Sequence, residues 1–373
     1  MYQKNIKESN ENKIFAYIFN SQENFVINEI AEKLNMSFPT VKRVFDFFLE
    51  KKIITEKDKI GYGVGRKARE YSFNKFFCYS IGVQILKDDI KIVLTNAKGE
   101  IRKTEIKQYD KNENIEKILE REVGNFIVVL SENIKNKLIG VGISIPGIVS
   151  EEGKFIEFNP FFKTDITVRE NLKNSFGCPV FIENQANLSA IAEAFLTFNY
   201  KSLHFAALTI GDYISTSSFH KEKNEARFHF KAGRLHHMIV NSNDEIKNYL
   251  GAYISNEALL DCFLEKFPKI KEYNEIFNAK YINSQAGQEL LDNYIKYMSI
   301  GIKNILFLSN PEIIIISGKI CKYQNHIKEK LLNEVFKENN IFYRKKESII
   351  FSSFNENSSL IGAALFPIID LLF

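Results

Sequence analysis

Apolar residues recur at helical spacing three times in the first 50 positions, which predicts three helices. The predicted bounds are about Asn10–Asn20, Ile27–Leu34, and a third helix that begins after Ser37. Ser37 is typical of an N-cap, and Pro39 is tolerated in a first turn. Two short apolar strands, Ile53–Thr55 and Tyr71–Phe73, then flank a glycine-rich stretch, which is the pattern of a hairpin.

From Tyr79 onward the pattern alternates between buried strands and amphipathic helices. It predicts a long helix over about Ile115–Lys137 and a helix over Leu188–Phe198. The predicted strands are Ile81–Ile85, Ile90–Thr95, Glu100–Gln108, Ile139–Val149, Val180–Ile182, Phe205–Ile210 and Ile313–Gly318. This alternation predicts an α/β domain in two lobes. The polar turn after Ile182 is where such a domain usually binds a ligand.

The composition is that of a soluble protein with room for more than one domain. The chain has 373 residues and four scattered cysteines without a C-x-x-C pair, which favours a reducing compartment. We find no secretion signal at the N-terminus, and the apolar segment Leu360–Phe373 is too short to span a bilayer. We therefore expect a cytoplasmic protein with no membrane partner.

The excess positive charge lies in the first fifth of the chain. Residues 1–75 carry 14 Lys and Arg against 10 Asp and Glu, which equals the whole net charge of +4. A solvated basic face would explain so small a surplus. Two short helices joined by a tight turn and followed by a basic hairpin are instead typical of a winged helix-turn-helix.

The winged helix-turn-helix hypothesis assigns the DNA contacts. We expect base contacts from the first turns of the third helix and phosphate or minor-groove contacts from the hairpin. The predicted DNA-binding residues are Ser37, Thr40, Lys42 and Arg43 on the helix, and Arg66, Lys67 and Arg69 on the hairpin.

Four ordered motifs after this module resemble the ROK family of repressors, uncharacterised frames and kinases. They read GVGISIPGIV, FIENQANLSAIAEA, AGRLHHM and SLIGAAL. The N-terminal module adds a resemblance to the sugar-responsive repressor branch, which includes xylose and N-acetylglucosamine repressors. The resemblance implies an actin/hexokinase-like fold in two lobes and a homodimer or dimer of dimers. The implied boundaries are 1–75 for the DNA-binding domain and 76–373 for the ROK-like domain. Lobe one would take 76–197 with the C-terminal helix 357–373, and lobe two 198–356.

The residues that the family's kinases use for phosphoryl transfer are replaced in this chain. The first phosphate loop matches Gln84–Asp88, which has no glycine, and the second matches Gly211–Ser215, which contains Asp212 and Tyr213. The adenosine loop matches Ser317–Lys319. The catalytic aspartate matches Gln185, and an amide cannot accept a proton at neutral pH. We therefore expect no enzyme activity and no cofactor.

The family's zinc site is not expected either. His237 matches the histidine ligand, but the cysteine positions fall on Ser242, Asp244 and Tyr249. A lone histidine does not hold structural zinc. A site of His236, His237 and Asp244 is conceivable, although solvated histidines explain the same residues.

The sugar site is changed in part. Asn184 and His237 match family sugar ligands, while Gln185, Arg234 and Gly251 replace acidic ones. An arginine in place of a carboxylate favours an anionic ligand such as a sugar phosphate or sugar acid. A vestigial pocket and an ordinary sugar remain alternatives. The predicted effector-binding residues are Asn184, Gln185, Arg234 and His237.

These expectations define a DNA-binding transcriptional regulator of carbohydrate genes, with double-stranded DNA as partner and a sugar, sugar phosphate or sugar acid as effector. The alternatives are a ROK sugar kinase that carries a DNA module, and a ROK domain kept only for oligomerisation.

Overall fold

The computed structural model describes residues 2–21, 24–57, 69–150, 156–162, 168–197, 204–220, 229–240, 249–337 and 346–372. Along the chain these residues form an N-terminal helical module, two α/β lobes and a C-terminal helix that returns to the first lobe. Within these ranges no helix is long and apolar enough to cross a membrane.

The N-terminal module has three helices and a two-stranded antiparallel hairpin. They are α1 (Tyr2–Asn20), α2 (Ile27–Lys33), α3 (Phe38–Glu50), β1 (Ile54–Lys57) and β2 (Glu70–Phe73). Phe25 bridges to Tyr71 beside the hairpin, and both side chains are buried in one core with Phe45. This is the order of a winged helix-turn-helix. The hairpin tip with Arg66 and Lys67 lies outside the described residues.

Two predicted helices differ from the observed ones. Helix α1 begins at Tyr2 and not near Asn10. The sequence pattern missed this start because residues 2–9 carry no apolar stripe. The single helix predicted over Ile115–Lys137 is wrong: it is interrupted near Ser131, whose backbone is extended. Apolar periodicity continues across this break, so the sequence pattern concealed it.

Lobe one is built on a five-stranded sheet with the order β5-β4-β3-β6-β9. Strands β3, β6 and β9 are parallel, while β4 and β5 are antiparallel to their neighbours. Helix α7 starts directly at the end of β9 and continues as a π-helical turn over Glu193–Thr197. The strands are β3 (Tyr79–Ile85), β4 (Asp89–Asn96), β5 (Ile101–Gln108), β6 (Leu138–Ile145), β7 (Ile148–Val149), β8 (Ile156–Phe158) and β9 (Val180–Asn184). The helices are α4 (Ile115–Val128), α5 (Glu132–Lys135), α6 (Val168–Phe176) and α7 (Gln185–Ala192).

Lobe two repeats the same topology with a sheet in the order β12-β11-β10-β13-β14. In both sheets the first strand lies centrally, next to the second and fourth. The strands are β10 (His204–Ile210), β11 (Ile214–His220), β12 (His229–Gly233), β13 (Ile313–Gly318) and β14 (Ile349–Phe351). The helices are α8 (Gly251–Ile254), α9 (Asn256–Lys266), α10 (Ala279–Ile282), α11 (Gln285–Ser309) and α12 (Gln324–Val335). This duplicated sheet is the two-lobed arrangement that the motifs implied.

The C-terminal helix α13 (Ser358–Leu372) packs between the lobe-one sheet and α7. The helix can approach the sheet closely because two paired positions, Gly82 on β3 and Gly142 on β6, carry no side chain. A Cβ at Gly82 would lie 2.5 Å from the Leu360 carbonyl oxygen, and one at Gly142 would lie 1.9 Å from that of Ala363. The backbone of α13 therefore rests directly on the sheet.

Gly142→Ala should lower the free energy of unfolding by about 2 kcal/mol or more, because the new methyl overlaps helix backbone that cannot move alone. Gly124→Ala is the matched control: its Cβ would meet nothing within 4 Å, in the interior of α4. It should stabilise the protein by about 0.5–1 kcal/mol. Urea unfolding measures both, and equal midpoints for Gly142→Ala and wild type would refute the close packing.

Candidate functional site

Helix α3 presents Lys42, Arg43 and Asp46 to solvent, together with the apolar side chains of Phe38, Pro39 and Phe47. Its core residues Val41, Val44 and Phe45 are buried, as is Phe48. Ser37 caps the helix: its Oγ accepts from the Thr40 amide at 3.4 Å and lies 2.8 Å from the Thr40 Oγ1. The two predicted base-contacting hydroxyls are therefore bonded to each other at the start of the helix.

The predicted cations differ in how they are engaged. Lys42 forms an ion pair with Asp46 at 2.8 Å, and Arg69 pairs with Glu56 at 3.3 Å. All four side chains are exposed, so such pairs are weak and exchange readily for phosphate. Arg43 is exposed and has no ion pair or hydrogen bond to any residue that the structure describes. It is the cation on α3 most available to a ligand.

A cleft of about 290 Å³ separates the two lobes. It is lined by the β3–β4 turn and the start of α7 from lobe one, and by the β10–β11 turn and the end of β13 from lobe two. The matches to both phosphate loops and to the adenosine loop thus all face this cleft, as does Gln185. The structure therefore brings these four segments together at one cleft.

Gln185 joins the two lobes. Its Nε2 donates to the Tyr213 carbonyl oxygen on the β10–β11 turn at 3.2 Å and to Ser215 Oγ near the start of β11 at 3.1 Å. The side chain is 7% exposed. An amide donor is required at this position, because a carboxylate would face a carbonyl oxygen. Gln185 therefore holds the turn against α7.

The β3–β4 turn is also engaged internally. The Leu86 amide donates to the Asp89 carbonyl oxygen at 2.9 Å, so it is not free to bind phosphate. Gln84 Nε2 donates to Ser359 Oγ at 2.9 Å, which ties the end of β3 to α13. Lys87 forms an ion pair with Glu257 across the cleft. These bonds close the edge of the cleft at which a phosphate loop would operate.

Asp212 makes this end of the cleft unfavourable for phosphate. Burial raises the pKa of its carboxyl group, while Lys319 and a hydrogen bond from Asn256 act in the opposite direction. The Oδ1 of Asn256 is buried with no hydrogen-bond partner among the described residues. A ligand here would need donors for these oxygens, as hydroxyls provide.

Asn184 caps α7 at the other end of the cleft. Its Oδ1 accepts from the Ala186 amide at 2.7 Å, and its Nδ2 donates to the Gly147 carbonyl oxygen. The side chain is buried, so a ligand that used it would have to replace the bond to Gly147. Asn184 currently positions the strand-to-helix turn.

Tyr213 stands at the centre of an aromatic group at the Asn184 end of the cleft. His236 stacks on its ring with centroids 4.4 Å apart, and His237 lies edge-on at 5.8 Å. Phe158 and Tyr249 contact the His237 ring at 6.4 and 5.5 Å. His237 therefore lies beside Tyr213, to which Gln185 is bonded, and its own side chain is exposed.

His236 fills the space that the absence of a side chain at Gly251 leaves open. A Cβ on Gly251 would lie 2.2 Å from the His236 ring. His236 Nδ1 accepts from the Ile214 amide at 3.3 Å, which requires this nitrogen to be unprotonated. Burial, with a smaller contribution from His237, lowers the pKa of His236 to about 4. His236 is therefore a neutral structural residue, a role that its sequence position did not reveal.

Arg234 precedes this histidine pair and is exposed. It has no hydrogen bond or ion pair to the residues that the structure describes. Its charge lowers the pKa of Tyr213, against the larger raising effect of burial. Arg234 is therefore near enough to the aromatic group to act on a ligand bound there. Among the described residues, no group of three or more His, Cys, Asp or Glu could hold a metal ion.

The N-terminal module is joined to lobe one by an aromatic contact. Phe19 of α1 packs edge-on against Phe195 of the π-helical turn at 6.2 Å, and against Phe73 at 5.7 Å. Lys98 Nζ lies over the Phe19 ring at 4.6 Å and donates to the Phe19 carbonyl oxygen. Burial lowers the pKa of Lys98 to about 8. We call Phe19, Phe73, Lys98 and Phe195 the joint.

Glu193 fixes the π-helical turn on the other side. Its carboxylate accepts from Thr197 Oγ1 at 2.5 Å and also from the hydroxyls of Ser352 and Ser358. Ser352 follows β14 of lobe two, and Ser358 begins α13 on lobe one. Glu193 is 1% exposed, and burial raises the pKa of its carboxyl group. The residue ties α7 to the crossing between the lobes.

Sequence reasoning missed the joint and Glu193. The available signal for Glu193 was a charged residue within an apolar helical run, which requires a buried partner. Lys98 offered no such signal, since a lysine beside a glycine in a turn is ordinary.

The matches to known proteins differ in how much of the N-terminal module they include. The sequence model described as the ROK family matches residues 80–368. A xylose repressor of Bacillus subtilis is 24% identical over 345 residues, covering 90% of this chain and 88% of its own length.

Two solved structures share the fold. One, described as a ROK family transcriptional regulator homologous to the E. coli MLC protein, has a TM-score of 0.79 and 16% identity, with 98% of this chain and 96% of its own covered. A ROK family glucokinase from Streptomyces griseus, in complex with glucose and AMPPNP, has a TM-score of 0.63 and 17% identity. It covers 77% of this chain and 98% of its own.

His236→Gln should destabilise the protein at neutral pH and have less effect in acid. Because the pKa of His236 in the folded state is lowered from 6.5 to about 4, its stabilising contribution is present above pH 6.5 and is lost as the pH falls toward 4. The difference in melting temperature between wild type and variant should therefore shrink from pH 7 to pH 5. His237→Gln is the control for removing a neighbouring histidine, and a pH-independent His236→Gln difference would contradict the assignment.

Proposed function

Because this chain belongs to the ROK family, we propose that it is a DNA-binding transcriptional repressor of sugar-related genes. The observation that carries the proposal is the winged helix-turn-helix module placed before the ROK domain, with Arg43 on α3 exposed and unpaired among the described residues. Relatives named as repressors align with both parts of the chain, whereas the glucokinase covers 77% of it. The repressor role and the link to sugars come from those relatives.

We propose that the ROK domain does not transfer phosphate. Gln185 occupies the position of the catalytic base, and its amide is bonded to Tyr213 and Ser215. The Leu86 amide and the side chain of Lys87 are used within the protein. Restoring an aspartate at position 185 alone would leave the Leu86 amide and Lys87 bonded within the protein. Several positions of the cleft therefore differ from a kinase site.

The proposed effector is a sugar phosphate or sugar acid that binds at the aromatic group around Tyr213. The Phe158 side chain, which is 37% exposed beside Tyr213, offers an aromatic surface that suits the apolar face of a sugar ring. Arg234 is the cation available for a phosphate or carboxylate, because a guanidinium binds such groups through two parallel hydrogen bonds. His237 lies on the same side and can donate a further hydrogen bond.

Regulation is proposed to pass along α7. The helix begins at Asn184 and Gln185, beside the effector end of the cleft, and its π-helical turn ends at the joint with Phe19. A ligand that displaces the Tyr213 turn would shift α7 and so reorient the DNA-binding module. In the proposed homodimer, this would change the separation of two α3 helices on a two-fold operator.

Arg43→Ala should weaken binding to the operator by about tenfold or more, the usual cost of removing an arginine that contacts a base. Arg121→Ala removes the same charge from α4, where Arg121 pairs with Glu113, and should leave affinity unchanged. Band shifts on operator fragments measure both. Equal affinities for Arg43→Ala and wild type would reject α3 as the reading helix.

A coupled ATP-turnover assay with hexoses and amino sugars should show no sugar-dependent turnover above background. Gln185→Asp should remain inactive, because the Leu86 amide stays bonded to Asp89 and Asp212 still repels phosphate. A sugar kinase serves as the positive control. Turnover by wild type that Gln185→Ala abolishes would establish the kinase alternative.

A further inference from the structure

We infer that Phe38 contacts the methyl group of a thymine in the operator and is a specificity-determining residue of this chain. The inference rests on the proposed function and extends it to the base that α3 reads. Phe38 is the first residue of α3, and 47% of its surface is exposed. No described residue forms a ring or cation contact with it.

The other exposed ring of α3 is in a different situation. Phe47 is 39% exposed, but Lys51 Nζ lies over its ring at 5.9 Å and Phe48 lies against it at 6.0 Å. Its exposed edge is therefore partly covered by the protein itself. Phe38 is left uncovered on the helix end that enters the major groove. An aromatic ring held there gains free energy only when a partner covers it.

The chemistry of the major groove selects that partner. Of the base edges exposed there, thymine alone presents an apolar group, its 5-methyl, while guanine presents two acceptors that suit arginine. Phe38 and Arg43 are five positions apart on one helix, which corresponds to about 7.5 Å of rise. At this separation Phe38 and Arg43 contact different bases of one half-site.

The neighbouring residues support the assignment of the methyl contact to Phe38 and of the guanine contact to Arg43. Pro39 is exposed and has no amide hydrogen with which to donate to a base. Ser37 and Thr40 are bonded to each other, and Lys42 is paired with Asp46. The first turn of α3 therefore offers mainly apolar surface, and Arg43 offers the free hydrogen-bond donors. A half-site read by this helix combines a thymine methyl with a guanine.

The test uses the full-length chain and a duplex obtained from it. Random-sequence DNA is first selected on the purified protein, and each thymine of the selected half-site is then replaced by uracil, which removes only the methyl group. Affinities are measured for wild type, for Phe38→Ala and for the matched control Phe47→Ala. Melting temperatures verify that the variants are folded.

A single uracil substitution, in one half-site only, should weaken wild-type binding about fourfold, the value of one buried methyl-sized group. Phe47→Ala should show the same loss, whereas Phe38→Ala should bind thymine and uracil duplexes equally. Sequence-specific binding that is insensitive to every uracil, or a loss that persists in Phe38→Ala, would overturn the inference but leave the proposed function intact. Selection of no preferred sequence would overturn both.

Discussion

Helix α7 and its π-helical turn are the constraint on which the rest of the molecule depends. The helix begins at the cleft, where Gln185 holds the Tyr213 turn of lobe two. It ends where Phe195 packs on Phe19 of the DNA-binding module. Between these ends, Glu193 binds hydroxyls on both sides of the crossing between the lobes. A movement of either lobe would change a contact of this helix. Helix α7 therefore connects the cleft with the N-terminal module.

The same contacts use groups at the positions that match the phosphate-binding and catalytic motifs of ROK kinases. A kinase keeps its phosphate-binding amides and its catalytic base free for substrates. In this chain Lys87 and Gln185 bond across the cleft, and the Leu86 amide bonds to Asp89 within the β3–β4 turn. His236 occupies the space beside Gly251 and stacks on Tyr213. These contacts hold the cleft in its observed arrangement, and Arg234 and His237 are exposed near Tyr213.

Much of the architecture could be predicted because it follows from local patterns. Helix α3 with its Ser37 cap, most strands of the two sheets and the division into two α/β lobes could be predicted from the sequence pattern. Contacts between distant segments could not be predicted in this way. The joint of Lys98 with Phe19, the partners of Glu193 and the stack of His236 on Tyr213 depend on tertiary packing. The break near Ser131 was hidden because apolar spacing continues across it.

Hydrogen–deuterium exchange of the full-length chain, with and without operator DNA, measures whether α7 couples the cleft to the N-terminal module. If α7 couples module and cleft, DNA binding must act on the cleft as an effector would act on DNA binding, since coupling is reciprocal. The account predicts protection in α3, together with altered exchange over residues 185–197 and at the Gly211–Ser215 turn. Changes confined to the N-terminal module, with no change along α7 or in the cleft, would contradict it.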